Sequence, residues 1–154
     1  MKYDIRQSPG PLIRRTHQIG LSIFAECFKD LDITPLQFSI MWTLNLHPGL
    51  DQSTLAKSVA LDTATCSNIV TRLETKGYIQ RKINPENKRA KLASLSRKGK
   101  QLLSRAEAPM DYVQKKLIAS LDAKEKKQFL KCLQKLVGAS NELSRAPMQY
   151  MPLK

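Results

Sequence analysis

One stretch limits what this chain can fold into: TRLETKGYIQRKINPENKRAKL, residues 71–92. The run that leads into it carries apolar Cys66, Ile69, Val70 and Leu73 at i, i+3, i+4 and i+7, one face of a helix. It stops at Gly77, the residue type that closes helices in the left-handed conformation. Two short β-prone runs follow, Tyr78–Ile83 and Ala90–Leu95, joined by the turn formers Asn84-Pro85-Glu86-Asn87. Upstream, Asp51 is placed to cap a short helix carrying Leu55, Ala56 and Val59. Ala60-Leu61 then makes a tight turn, and Asp62 caps the helix that ends at Gly77. Two short helices, a tight turn and a hairpin make a helix-turn-helix with a wing.

The flanks read as helices. Pro11 suits a first helical turn, and residues 12–30 show rows at Leu12, Ile19, Ile23 and Cys27 and at Gly20, Phe24 and Phe28. Thr34 caps a second helix with Pro35 at its first position, and it stops at His47-Pro48-Gly49. Ser96 caps a long fifth helix carrying Leu102, Leu103, Ala106, Met110, Val113, Leu117 and Leu121, with a kink expected at Pro109. Asp122-Ala123-Lys124-Glu125 has capping-box spacing and opens a sixth helix with Phe129, Leu130, Leu133, Leu136 and Val137. The tail from Ala146 is expected to be loose. The expected class is mainly α with a small β-hairpin wing: an N-terminal dimerisation helix (1–33), a winged helix-turn-helix (34–100) and C-terminal dimerisation helices (101–154), together a single domain. The terminal helices are amphipathic and unnecessary to a winged core, so a second copy of the chain is expected to cover them, through residues such as Leu117, Phe129, Leu133 and Leu136.

Charge says what the module meets. The net charge is +13, and the span from Asp62 to Arg105 holds eleven basic residues and three acids, a net +8. Such self-repulsion fits a polyanionic partner, here double-stranded DNA. No apolar run approaches the roughly 18 residues of a spanning helix, and MKYDIRQSPGPLIRR lacks a signal-peptide core. A cytoplasmic protein without membrane association is therefore expected. Cys27, Cys66 and Cys132 are far apart, and His17 and His47 are not spaced as a metal pair. No Gly-rich phosphate loop or Gly-x-Ser-x-Gly occurs. Neither an enzyme nor a cofactor or metal is expected.

Residues 61–100, LDTATCSNIVTRLETKGYIQRKINPENKRAKLASLSRKGK, resemble the MarR family of bacterial transcriptional regulators. The family pattern runs Arg-Leu-x-x-x-Gly, a wing with Asp-x-x-Asp-x-Arg, then Leu-Thr-x-x-Gly. The matching elements are Arg72 to Gly77, Asn84 to Arg89, and Leu95 to Gly99. Both wing aspartates are replaced, by Asn84 and Asn87, where the family's acids brace the wing arginine. The resemblance implies a homodimeric repressor or activator that releases DNA when a small molecule or an oxidant acts on it.

With Cys66, Ile69, Val70 and Leu73 inward, Ala64, Ser67, Asn68, Thr71 and Thr75 face outward, flanked by Thr65 and Arg72. Asn can bond adenine on two atoms and Thr methyls can touch thymine. Arg72 is either a DNA contact or a structural arginine paired with an acid. Arg89 is the candidate for a narrow minor groove, with Lys88 beside it on the wing. A second cluster lies in LIRRTHQ, residues 12–18. Arg14 and Arg15 stand in a first helical turn, where the dipole disfavours cations by roughly 0.3–1 kcal/mol. With His17 and Gln18 they can hold a carboxylate. The segment is similar to the first helix of MarR-family members that respond to aromatic acids or their coenzyme A thioesters. Phe38, Trp42 and Met110 can line the apolar part of such a site, or be plain core. Surface arginines are the alternative for LIRRTHQ. Redox control and a sequence-indifferent, nucleoid-type binder are the alternatives for the whole chain. Cys66 reads as a small core hydrophobe.

Overall fold

The computed structural model describes residues 4–152. Six helices run α1 (Pro9–Cys27), α2 (Pro35–Leu46), α3 (Gln52–Ser58), α4 (Thr63–Thr75), α5 (Arg97–Leu117) and α6 (Ala123–Ser140). Three strands, β1 (Leu50–Asp51), β2 (Ile79–Ile83) and β3 (Lys91–Leu95), form an antiparallel sheet in the order β1-β3-β2. A 3₁₀ turn at Asn141–Leu143 closes α6.

The expected caps start the helices. At α2, the Gln37 N–H donates to Thr34 Oγ1 (3.3 Å), and the Thr34 N–H donates to Gln37 Oε1 (3.0 Å). The Asp51 carboxylate accepts from the N–H groups of Ser53 and Thr54 at 2.9 and 3.0 Å. Asp62, Ser96 and Asp122 cap α4, α5 and α6 in the same way. Each accepts from an N–H that the first helical turn leaves without a partner.

The core gathers around α2 and α4. Ile40, Met41, Leu55, Cys66 and Leu73 have no exposed surface, and Leu103 and Ala106 of α5 close over them. Phe24 and Phe28 stack at 3.9 Å between ring centroids, and Phe28 meets Phe38 edge to face. This core runs from Ile23 to Val113 and draws on all three of the expected segments. Ile69, expected inside, is only half-buried.

Four expectations change. The first helix ends at Cys27 rather than Asp30, because the chain turns to bury Phe28, Leu31 and Ile33 in the α2 core. The fifth ends at Leu117, which leaves Leu121 outside it; Ile118 caps α5 and the chain turns before Asp122 opens α6. β1 is a third strand that the sequence hid: Leu50 pairs with Ala93 and Asp51 with Leu92. Two residues are too few to show alternation, and only β3 defines them as a strand. The tail is not loose, since Asn141 holds Met148 by two hydrogen bonds. α5 stays helical on both sides of Pro109, whose missing N–H removes one bond of the helix.

α6 differs from the rest. Its capping box is complete, yet it has no buried residue. Leu130, Leu136 and Val137 are about half exposed (49%, 55% and 47%), and so are Leu12, Ile13 and Ile19 of α1.

Candidate nucleic-acid interface

The helix-turn-helix is built as one piece. Gln52 Nε2 of α3 donates to the Thr63 carbonyl at 3.2 Å, tying the two helices at the turn. Inside the turn Ala60 adopts a φ of +53°, a left-handed conformation that costs a non-glycine residue energy. α4 buries Cys66, Val70 and Leu73 and presents Asn68, Thr71 and Arg72 exposed, with Thr65 and Ser67 partly so. Among the described residues Arg72 has no ion pair. The Thr65 hydroxyl is engaged, donating to Asp62 Oδ2 at 2.6 Å, and this bond holds the Asp62 carboxyl below the usual range. The Thr75 hydroxyl donates to the Thr71 carbonyl within the helix.

The end of α4 explains a sequence motif. Gly77 has a φ of +74°, and its carbonyl accepts the Ser96 hydroxyl at 2.6 Å. Ser96 also bonds the Tyr78 carbonyl through its N–H (3.0 Å) and caps Gly99. A Cβ on Gly99 would collide with the Tyr78 carbonyl, so the first turn of α5 can lie there only on glycine. Gly77 and Ser96-x-x-Gly99 thus fasten the recognition helix to the base of the wing.

At the wing tip the two asparagines brace backbone. Asn84 Oδ1 accepts from the Glu86 N–H (3.0 Å) and Asn87 Oδ1 from the Arg89 N–H (3.1 Å). These are Asx turns, which need no charge. Lys88 and Arg89 are exposed. Arg89 also borders a cleft of about 380 Å³ shared with Asp51, Gln52 and Thr63 of the helix-turn-helix and with Arg81 and Lys91 of the sheet.

Arg81, which sequence reasoning did not single out, is the structural arginine. It grips Glu74 of α4 through Nε at 2.9 Å and through Nη2, joining the recognition helix to β2. That hydrogen bond, aided by the charges of Arg81 and Lys91, holds the Glu74 carboxyl below its ordinary range. The only hint in the sequence is an acid and a base seven residues apart across the Gly77 turn.

The candidate effector residues fall into two groups. Phe38, Trp42 and Met110 line one cleft of about 470 Å³ between α2 and α5, with Phe38 and Trp42 stacked at 5.9 Å. Its remaining lining is Ser39, Glu107, Asp111 and Gln114, which includes no cation. Arg14, Arg15, His17 and Gln18 are exposed on α1, outside that lining, and because α1 opens at Pro9 the two arginines stand in its second turn rather than its first. Within the group, Arg15 Nη1 reaches Gln18 Oε1 at 3.5 Å. Burial, helped by the charge of Asp62, pushes the Cys66 thiol up to about 11, which leaves it protonated and a poor nucleophile. Among the described residues no cluster of His, Cys, Asp and Glu can hold a metal. No described helix is long and apolar enough to cross a membrane.

Fold and site define a winged helix-turn-helix protein. Residues 33–91 match the model of the MarR family. The chain is 29% identical over 137 residues to the HTH-type transcriptional repressor NicR of Pseudomonas putida, covering 89% of this chain and 87% of that one. It superposes on the PcaV transcriptional regulator of Streptomyces coelicolor, solved in complex with its natural ligand, with a TM-score of 0.81 and 25% identity over 91% of this chain and 99% of that one. A MarR variant from Escherichia coli complexed with operator DNA gives 0.79 and 25%, over 83% and 92%. The winged region thus carries the MarR-family match, and the relatives that the chain resembles along most of its length are transcriptional regulators.

Proposed function

We propose that the chain is a homodimeric repressor that binds a pseudo-palindromic operator and releases it when an aromatic carboxylate, or its coenzyme A thioester, binds. The observation that carries the DNA reading is α4. Its outer face offers exposed Asn68, Thr71 and Arg72, clamped by Glu74–Arg81 to a wing that ends in Lys88 and Arg89. Small hydroxyl and amide groups suit base edges in a major groove, and the wing cations suit phosphates or a minor groove. The half-exposed apolar faces of α1 and α6 support a dimer. Repressor and effector are supported by what similar proteins are named for or hold: NicR as a repressor, PcaV with its natural ligand.

The dimer also joins the two halves of the effector site. A carboxylate cannot sit in a cleft whose only charged lining groups are Glu107 and Asp111 unless cations come from outside it. α1, with Arg14 and Arg15 exposed beside half-exposed Leu12, Ile13 and Ile19, supplies them from the partner subunit. Gel shifts across a salt series test the DNA reading. Binding to promoter DNA should exceed binding to random duplex by about a thousandfold or more and fall steeply with salt. Equal affinity for the two would return the nucleoid-type alternative. Calorimetry with benzoates, cinnamates and their thioesters tests the effector. Arg15→Ala should leave operator affinity nearly unchanged and abolish release, and a variant that responds like the parent moves the site elsewhere.

A further inference from the structure

We propose that the C-terminal segment is a strap that fixes the helix-turn-helix relative to α6, with Asn141 as its positioning residue; the proposal rests on the dimeric operator-binding reading above. At the end of α6, Asn141 Nδ2 donates to the Met148 carbonyl (3.1 Å) while its Oδ1 accepts from the Met148 N–H (2.9 Å). One side chain thereby pairs with a backbone unit as a neighbouring strand does. Between these two points the loop is stiffened. The Ser144 N–H donates to the Asn141 carbonyl (3.0 Å), the Ala146 N–H donates to Ser144 Oγ (3.2 Å), and Pro147 fixes one φ.

The clip aims the next residue. The Gln149 N–H donates to the Lys57 carbonyl at 3.0 Å. Lys57 lies in the last turn of α3, where carbonyls have no partner within the helix. Within the chain's own turn the N–H of Val59 shares its approach to this oxygen with the Leu55 and Ala56 carbonyls, and the N–H of Ala60 reaches it only at 3.4 Å. Beside this bond the strap and the helix-turn-helix flank a cleft of about 450 Å³, lined in part by Asp62, Thr63, Glu142 and Arg145. The strap therefore grips α3 at one point. A pull on α3 reaches α4 through the Gln52–Thr63 bond and the strained Ala60 turn.

This matters because α6 has no fully buried residue, with only Lys126, Phe129 and Leu133 partly covered by its own chain. In the dimer α6 belongs to the seam, whereas α3 and α4 belong to the part that meets DNA. The two recognition helices of a dimer must lie about one helical turn of DNA apart. A link from the seam to α3 sets that distance.

The experiment uses full-length dimers and duplexes that carry the half-site recovered by selection on randomised DNA, with the half-sites moved apart or together one base pair at a time. The parent should prefer one spacing by about tenfold over its neighbours. Asn141→Ala removes both clip bonds, and Gln149→Pro removes the donor to Lys57. Each should flatten the profile to within about threefold, with the dimer and its thermal midpoint unchanged. Gln149→Ala keeps the N–H and should match the parent. Parental profiles from both Asn141→Ala and Gln149→Pro overturn the strap alone, as does a flattened Gln149→Ala. A parent that discriminates neither spacing nor sequence overturns the operator reading and the strap with it.

Discussion

The winged region and α6 use the same kinds of side chain to opposite ends. In residues 34–100 most of the apolar residues close on one another, as Ile40, Met41, Leu55 and Leu73 have no exposed surface, while the charge is displayed outward. In α6 the apolar Leu130, Leu136 and Val137 are about half exposed on a helix that is well capped. Local signals suffice to form α6, but its own chain covers it only in part, at residues such as Phe129 and Leu133. A helix complete in hydrogen bonds and incomplete in burial points to a second molecule, whereas a complete core with a lopsided charge points to a polyanion.

The contrast breaks most easily at α6. Leu133→Glu with Leu136→Glu should leave the winged core folded and give monomers in sedimentation, with operator affinity reduced by about a hundredfold or more because one half-site is lost. A double variant that stays dimeric places the interface elsewhere. The next effect is on readout. Arg89→Ala should weaken operator binding by about 1–3 kcal/mol, mostly at A·T-rich flanks, whereas Asn68→Ala should relax preference at one base position per half-site. Selection on randomised DNA checks both, and an unchanged motif for Asn68→Ala would place Asn68 outside the base contacts.

A smaller effect tests the clamp between the regions that meet DNA. A double-mutant cycle on Glu74→Ala and Arg81→Ala should give a coupling of about 0.5–1 kcal/mol, since both side chains keep some exposure (36% and 19%). Glu74 is held below its ordinary value of 4.5 in the folded state, so its contribution is present above 4.5. It is lost as pH falls below 4.5 through the lowered folded value, and denaturation series on either side of that window should show the coupling vanish in acid. The smallest effect is at the thiols. Under native conditions a thiol reagent should label exposed Cys132 and spare Cys66, with DNA binding of a Cys66→Ser variant insensitive to peroxide as in the parent. Rapid labelling of Cys66 would revive redox control.

Much of the fold was legible because its signals are local. Asp51, Asp62, Ser96 and Asp122 each mark a helix start by a bond to an N–H two or three residues away, and Gly77 marks an end by its own φ. The outward set on α4 followed from a 3.6-residue period once its apolar row was known. The residues proposed for the effector separate into two places. Phe38, Trp42 and Met110 do share a cleft, but the period of α1 could not say that Arg14 to Gln18 lie outside it in one protomer.

By itself, the sequence determined the order of elements, the apolar row of each helix and the charge of the wing, since caps, periodicity and composition act over a few residues. Tertiary structure alone decided the third strand, which exists only where Leu50 meets Ala93, and the early end of α1, set by Phe28 turning into a core it shares with Phe38. It also decided that Arg81 rather than Arg72 is the structural arginine, and that the tail returns to Lys57. Each of these joins residues from different elements. Whether two such groups meet depends on the angles at which packed elements lie, which no local pattern carries.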